Sequence, residues 1–496
     1  MSCLSGHETG ARAYVEALRD RIVKDVTTQR TDGLATAWEQ AGRALEDLRN
    51  NIRDLPVSSD LRPDVVRRAV ESRFDFSQPV PLPALTEQVI ALLRDYSVHV
   101  THPRYFGLFN PTVPEAAVIA DALVALYNPQ LAAWSHAPAA NELERITLRY
   151  LAAALGFDPD TTFANFTTGG LEANFSAVVV ALTDRFPDYD QGGIAALDTR
   201  PTIYVTGESH HSFIKICRMT GLGTDALRHV PTTPTFAMDA NALQELIARD
   251  AKEGRTPLLI VGTAGTTAGG IVDPLDALAA IAAASRMWLH VDAAWGGAAA
   301  LVPRLRSAVR GIERADSVTW DAHKWLSVPM GAGMFFCRHR MSVGRAFDVS
   351  ASYMPPAAAT ETTDLYRASF QWSRRAIGLK LFMSLAERGG AAFAEQIDRQ
   401  ARMGDILRAK LRNAGWAVVN DTILPVVCVT NDAIRAGQTT TAEIVQSIQA
   451  RGHVWISDVV LGGRERAIRA CVTSYLTTEA DLDVLVAELE RARSPK

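Results

Sequence analysis

Apolar residues recur at helical spacing through the first hundred positions. Tyr14, Leu18, Ile22 and Val23 mark one stripe within residues 12–25; Leu45, Leu48 and Ile52 mark a second; Leu85, Val89, Leu92 and Leu93 mark a third. Proline-rich breaks at Leu55-Pro56 and Pro79–Pro83 separate the pieces. Such a string of amphipathic helices is too extended to bury its own stripes. Residues 1–99 therefore read as an N-terminal helical segment that packs on the main body or on a second copy of the chain.

The pattern then changes. An amphipathic helix is expected from Pro114 to Tyr127, and residues 128–144 run through a proline-bracketed loop into another. From about 160 to 340, short β-rich runs alternate with helical ones. Ile203–Thr206, Leu258–Val261, Trp288–Val291, Val318–Trp320 and Gly333–Phe336 read as strands, with helices at Leu243–Ala251 and Leu275–Ala284 between them. This alternation predicts an α/β fold with a mostly parallel sheet covered by helices, in a large domain spanning 100–376. Beyond it, a helical pattern through Ile377, Leu381, Phe382 and Leu385 leads into a βαβ-like tail. Its strands are Trp416–Val419, Leu424–Val429 and Ile468–Thr473, and its helices 441–450 and 479–492. Residues 377–496 read as a small C-terminal α/β domain. The one low-complexity stretch, Met354–Thr363, has the composition of a mobile loop.

Composition narrows the function classes. With 48% hydrophobic and 21% charged residues, the chain is a globular protein rather than a disordered one. A formal net charge of −4 offers no basic field, which argues against nucleic acid or an anionic membrane as partner. The five cysteines are scattered without a CxxC pair, against a disulfide framework or a zinc site, and no metal is expected. No apolar run is long enough to span a membrane, and the N-terminus lacks a signal-peptide pattern. The expected location is cytoplasmic.

Candidate chemistry gathers behind the β-runs, where sites in parallel sheets collect. Thr167-Thr168-Gly169-Gly170-Leu171-Glu172 precedes an apolar helix, a place where backbone amides and the helix dipole receive a phosphate. Glu208-Ser-His-His-Ser212 puts two histidines at a strand end; one of the pair is expected to face the site. Gly262-Thr263 supplies a hydroxyl. Asp292 ends the run Trp288–Val291, and a buried carboxylate needs a partner. A protonated pyridine nitrogen is one candidate, and an arginine or lysine is the structural alternative. Finally, Ser317-Val-Thr-Trp-Asp-Ala-His323-Lys324-Trp325 sets a lysine close behind a strand, where partial desolvation favours a nucleophilic amine. A plain surface lysine is the competing reading, and the other four segments weigh against it.

These segments resemble the pyridoxal-phosphate-dependent group II amino-acid decarboxylases, the family of aromatic-L-amino-acid, glutamate and diaminobutyrate decarboxylases. HVDAAWGG and DAHKW are the most specific parts, and the resemblance spans roughly residues 80–480. It implies the aspartate-aminotransferase-like fold (fold type I), pyridoxal 5'-phosphate as cofactor, and a homodimer with shared active sites. Carried over by motif, Lys324 looks like the Schiff-base lysine and His323 a phosphate neighbour. Asp292 would pair the pyridine nitrogen with Ala294 beside the ring, His211 would stack on the ring, and Thr263 would lie near its hydroxyl. Gly169, Gly170 and Leu171 would meet the phosphate. Asp321 stands where aromatic decarboxylases commonly carry asparagine. Tyr353 resembles the mobile-loop tyrosine that helps protonate the substrate carbon, which favours decarboxylation over aldehyde-forming oxidative deamination. Arg374 resembles an arginine that contacts a substrate carboxylate or serves structure.

The pocket residues depart from the best-known members. Gly107-Leu108 replaces an Asn-Gln pair that glutamate enzymes use. Val100, Leu108 and Ala132 stand where aromatic decarboxylases carry bulkier side chains, while Phe109 and Trp134 remain. The expected activity is decarboxylation of an uncharged or partly apolar L-amino acid to its amine, with Leu108, Phe109 and Arg374 at the substrate. The alternatives are an oxidative deaminase or carbon–carbon lyase on the same fold, or a non-catalytic binding homologue.

Overall fold

The computed structural model describes residues 33–59, 61–355 and 362–493, so the stripe at 12–25 and most of the low-complexity stretch lie outside the described residues. The backbone clusters into two units, one ending at His99 and one beginning at Val100.

The first unit holds a helix over 33–51 and helices Pro63–Glu71 and Leu82–Asp95. Only Ala37, Ile52 and Val57 among its described apolar side chains are buried, whereas Leu34, Trp38, Val70, Phe76, Leu82, Val89 and Leu93 stay exposed. The stripes at 45–52 and 85–93 fall on helices, and the described residues of this unit bury few of their apolar side chains.

The second unit is organised on a seven-stranded sheet. Its strands are β1 (Phe163–Thr167), β2 (Arg200–Thr206), β3 (Leu227–Val230), β4 (Arg255–Thr263), β5 (Trp288–Asp292), β6 (Ser317–Asp321) and β7 (Gly333–Cys337), in the order β1-β7-β6-β5-β4-β2-β3. Neighbours from β6 to β3 pair parallel, and β7 alone runs against both β1 and β6. β5 and β6 are buried along their whole length, so His290, Ser317 and Thr319 lie in the interior beside the apolar residues that mark these strands in the sequence. β1 and β3 had no counterpart in the sequence reading. β3 is four residues long with Arg228 and His229 at its centre, so no apolar run marks it.

Register brings the chemistry together. Thr263 pairs with Asp292, and Asp292 with Thr319 two residues before the end of β6. Thr167 and Asp321 both pair with Gly333, one from each side. The carboxyl ends of β1, β4, β5 and β6 thus form one edge, and helix Gly170–Arg185 packs across β4, β5, β6 and β7 above it.

A second sheet, β8 (Ala417–Val418), β9 (Val426–Thr430), β10 (Ser457–Leu461) and β11 (Glu465–Cys471), is antiparallel throughout in the order β10-β11-β9-β8. The sequence suggested a βαβ-like arrangement here. β10 was not anticipated, and its hairpin with β11 reverses the chain through Gly462 and Gly463, both at positive φ where a Cβ is disfavoured.

Candidate active site

Lys324 sits on the turn between β6 and β7. Its amide donates to the Asp321 carbonyl, the Ser327 amide donates back to the Lys324 carbonyl, and the Ala332 carbonyl holds both Ala322 and His323. Ser327 completes the turn at φ 61°, a left-handed conformation costly for a residue with a Cβ. The Lys324 side chain is 22% exposed and its Nζ lies 3.0 Å from Asp321 Oδ2. His323 is buried beside it: Nδ1 accepts the Ala332 amide at 3.2 Å, and Nε2 lies 3.7 Å from the same Asp321 oxygen. Burial pulls the His323 imidazole below its ordinary value, against the opposing pull of Asp321.

Opposite this turn, helix Gly170–Arg185 starts with no side chain capping it. The first-turn amides of a helix have no intrahelical acceptor and carry the positive end of its dipole. Glycine is required at its first residue, because a Cβ on Gly170 would lie 2.9 Å from Asp321 Oδ2. Glu172 steadies the turn by accepting the Thr168 amide and hydroxyl, and Gln371 donates to both of its oxygens. Asp321 Oδ1 is buried without a partner. The cradle suits an anion such as phosphate, with one carboxylate of the chain at its rim.

Asp292 is 4% exposed. Its Oδ1 accepts the Ala294 amide at 3.1 Å and its Oδ2 accepts Asn174 Nδ2 at 2.9 Å. Among the described residues no lysine or arginine forms an ion pair with it, which removes the structural alternative raised by the sequence. A buried carboxylate with hydrogen-bond donors but no cation is the partner a protonated ring nitrogen requires. Thr263, at the end of β4, is held by its amide to Asp273 Oδ2 at 2.8 Å, and its Oγ1 approaches Ser209 Oγ at 3.5 Å.

The two adjacent histidines part company. His210 has Asp292, Lys324 and Asp321 as its electrostatic neighbours, and its Nδ1 accepts the Ser212 amide at 3.2 Å. Like His211 it is exposed, yet the protein packed round its ring desolvates it enough to lower its imidazole below the ordinary value. His211 begins helix Ser212–Met219 at the N-cap position and is exposed. The geometry therefore favours His210 over the sequence choice of His211. The spacing His210-x-Ser212 was the signal available for it.

Other expected residues fall elsewhere. Arg374 is 3% exposed, and its Nη2 donates to Glu144 Oε1 at 3.1 Å and the Phe166 carbonyl at 2.9 Å. That guanidinium lies in the interior behind β1, paired through Nη2 to Glu144 while Nε and Nη1 have no partner among the described residues, which favours the structural of the two roles the resemblance allowed. Phe109 is buried and stacks on Trp295, with ring centroids 4.5 Å apart. Leu108 is 49% exposed beside it. Gly107 has no room for a side chain, since a Cβ there would overlap the Trp455 ring. Tyr353 is 75% exposed and tilts against Trp372 at 6.2 Å. Sequence reasoning missed Asn174, Ser209, Asp273 and Trp295, all polar or aromatic partners of the predicted residues. Asn174 lies two residues beyond the Thr167–Glu172 motif, on the buried face of the helix that motif opens.

The pyridoxal-dependent decarboxylase conserved domain matches residues 63–431. Tryptophan decarboxylase 1 of Oryza sativa subsp. japonica is 28% identical over 90% of this chain and 91% of its own length. Cysteine sulfinic acid decarboxylase of Rattus norvegicus is 30% identical over 80% of this chain and 83% of its own. The crystal structure of Oryza sativa TDC with PLP and tryptamine superposes with a TM-score of 0.86, at 24% identity, over 94% of this chain and 99% of that one. The chain belongs to the pyridoxal-dependent decarboxylase family and has its α/β fold. It is a pyridoxal-phosphate-dependent carboxy-lyase acting on an amino acid.

Proposed function

We propose that this member of the pyridoxal-dependent decarboxylase family holds its cofactor on Lys324, and that Asp292, Thr263, His210 and the 167–172 turn orient it there. The buried, cation-free carboxylate of Asp292 carries the reading. When bound, pyridoxal phosphate supplies the electron sink for the pair released as the Cα–carboxylate bond breaks. The chain supplies position and protons. Gly170 and Leu171 amides receive the phosphate at the uncapped helix start, with His323 and Gly169 alongside. Asp292 would pair with the ring nitrogen, Ala294 would lie beside the ring, and Thr263 would lie near its hydroxyl. His210, its Nδ1 engaged by the Ser212 amide, holds its proton on Nε2 and covers the ring. Asp321, 3.0 Å from Lys324 Nζ, is placed to take the proton the amine must lose before it can act as a nucleophile.

A homodimer is part of this reading. The first unit leaves a set of large apolar side chains uncovered, and a second copy is the cover we propose. Tyr353, exposed on its own chain, is proposed to protonate the substrate carbon in the partner's site. A reducing, cytoplasmic setting is supported by Cys217, Cys337, Cys428 and Cys471, all buried free thiols. Among the described residues no helix is long and apolar enough to cross a membrane.

For the substrate we propose an uncharged or partly apolar amino acid, because Gly107 and Leu108 offer no polar side chain to a distal acid. One observation favours a second reading. Arg469 is 1% exposed and lies over the Phe109 ring at 5.0 Å, and among the described residues it has no carboxylate partner and its Nη2 has no acceptor. An acidic substrate would supply that acceptor. A panel of amino acids assayed for carbon dioxide release, with the amine identified by mass and peroxide measured alongside, tests all of this. Glutamate or aspartate as best substrate selects the second reading, and stoichiometric peroxide selects oxidative deamination.

A further inference from the structure

We infer that Asn174 is a positioning residue for Asp292, set by a one-way hydrogen-bond relay that runs Trp288, Ser317, His290, Asn174, Asp292. This deepens the proposal above and rests on Asp292 serving the ring nitrogen.

The direction of the relay follows from what each group can donate. An indole N–H only donates, so Ser317 Oγ accepts Trp288 Nε1 at 2.8 Å. The Ser317 hydroxyl proton is then free for His290 Nδ1, 2.8 Å away. His290 is completely buried, and that burial pushes its imidazole down to about 4, so the ring is neutral with one proton; Asn174 turns Nδ2 to the Asp292 carboxylate and Oδ1 to His290, which places that proton on Nε2. Nε2 donates to Asn174 Oδ1 at 2.9 Å, and the Thr319 hydroxyl donates to the same oxygen at 2.6 Å. With two donors on the carbonyl oxygen, the amide can point only one way. Its Nδ2 donates to Asp292 Oδ2 at 2.9 Å and to Ser212 Oγ at 3.2 Å. The flipped amide would set oxygen against carboxylate oxygen and leave two donors facing a third, so the network itself excludes it.

Every member is buried, from Trp288 at 6% to Ser317 and His290 at 0%. Asn174 therefore fixes the Asp292 carboxylate in place, and through Ser212 it also touches the residue whose amide fixes His210. One amide side chain links the groups proposed to lie at the ring's nitrogen and over its face.

The test compares Asn174→Ala, His290→Phe, His290→Gln and Asp292→Asn in the full-length enzyme. The readouts are the dissociation constant of pyridoxal phosphate from the apo-enzyme and the pH at which the bound cofactor's visible absorbance changes. Loss of one hydrogen bond to a charged group is expected to weaken cofactor binding about tenfold in Asn174→Ala. The absorbance titration should shift with it. His290→Phe should shift both in the same direction, and His290→Gln, which restores an N–H donor, should return them toward wild type. Should Asn174→Ala fail to fold by circular dichroism, the His290 pair still decides. Wild-type values in Asn174→Ala, or equal values for the two His290 variants, overturn the relay. Wild-type values in Asp292→Asn overturn instead the underlying reading of Asp292.

Discussion

Lys324 Nζ lies 3.0 Å from the Asp321 carboxylate, and that carboxylate rests against Gly170 at the start of the helix proposed to receive the phosphate. The chain's own anion stands at the rim of its anion cradle. A carboxylate at the rim repels a bound phosphate, and solvent at the site screens most of that repulsion. Asp321→Asn is therefore expected to bind pyridoxal phosphate several-fold more tightly, as measured by titrating apo-enzyme. Weaker binding would show that the proton-accepting role of Asp321 toward Lys324 outweighs its repulsion of the phosphate.

Alanine substitutions separate the two histidines. His210→Ala should lower kcat by ~10²-fold or more, the usual worth of a positioned proton-transfer group. His211→Ala, at the exposed start of its helix, should stay within a few-fold of wild type. Steady-state rates of carbon dioxide release settle the order, and the reverse order would restore His211.

Arg374→Met should destabilise the fold without acting on substrate. It strands the buried carboxylate of Glu144, a loss of about 3 kcal/mol for a broken buried pair. Urea unfolding should show that loss, while KM of the folded fraction stays unchanged. A raised KM at full stability would return Arg374 to the substrate site.

Ser327→Gly should stabilise the protein by about 1 kcal/mol. Its φ of 61° is left-handed, its side chain is buried, and its Oγ has no hydrogen-bond partner. Thermal unfolding reads the gain directly, and a lower midpoint would point to a role for the hydroxyl in the lysine turn.

Stability should carry opposing pH signatures from two buried groups. Burial depresses His290 from 6.5 to about 4, so its contribution is full above 6.5 and is lost as pH falls toward 4, by about 3 kcal/mol. Burial raises Asp273 from 3.8 to about 6, so its contribution is full below 3.8 and is lost as pH rises toward 6. The stability of wild type minus that of His290→Phe should therefore fall between pH 6.5 and 4. Wild type minus Asp273→Asn should fall in the other direction, between pH 4 and 6. Urea unfolding across this range measures both differences.

The sequence by itself determined most of the large sheet and the endpoints of the site. β2, β4, β5, β6 and β7 were legible because strands buried on both faces are dominated by apolar and β-branched residues. Lys324 and Asp292 were legible because a charged residue directly behind such a run stands at a sheet edge. The family resemblance rested on those same residues. Only the tertiary structure decided which neighbours they meet. His210 and His211 are adjacent in sequence, and the helix beginning at Ser212 turns them apart. Arg374 and Glu144 stand 230 positions apart, and Asn174 reaches Asp292 across 118, so no local pattern could pair them. Periodicity records whether a side chain is buried. The partner it finds there is set by which distant strand ends the fold brings to the same edge.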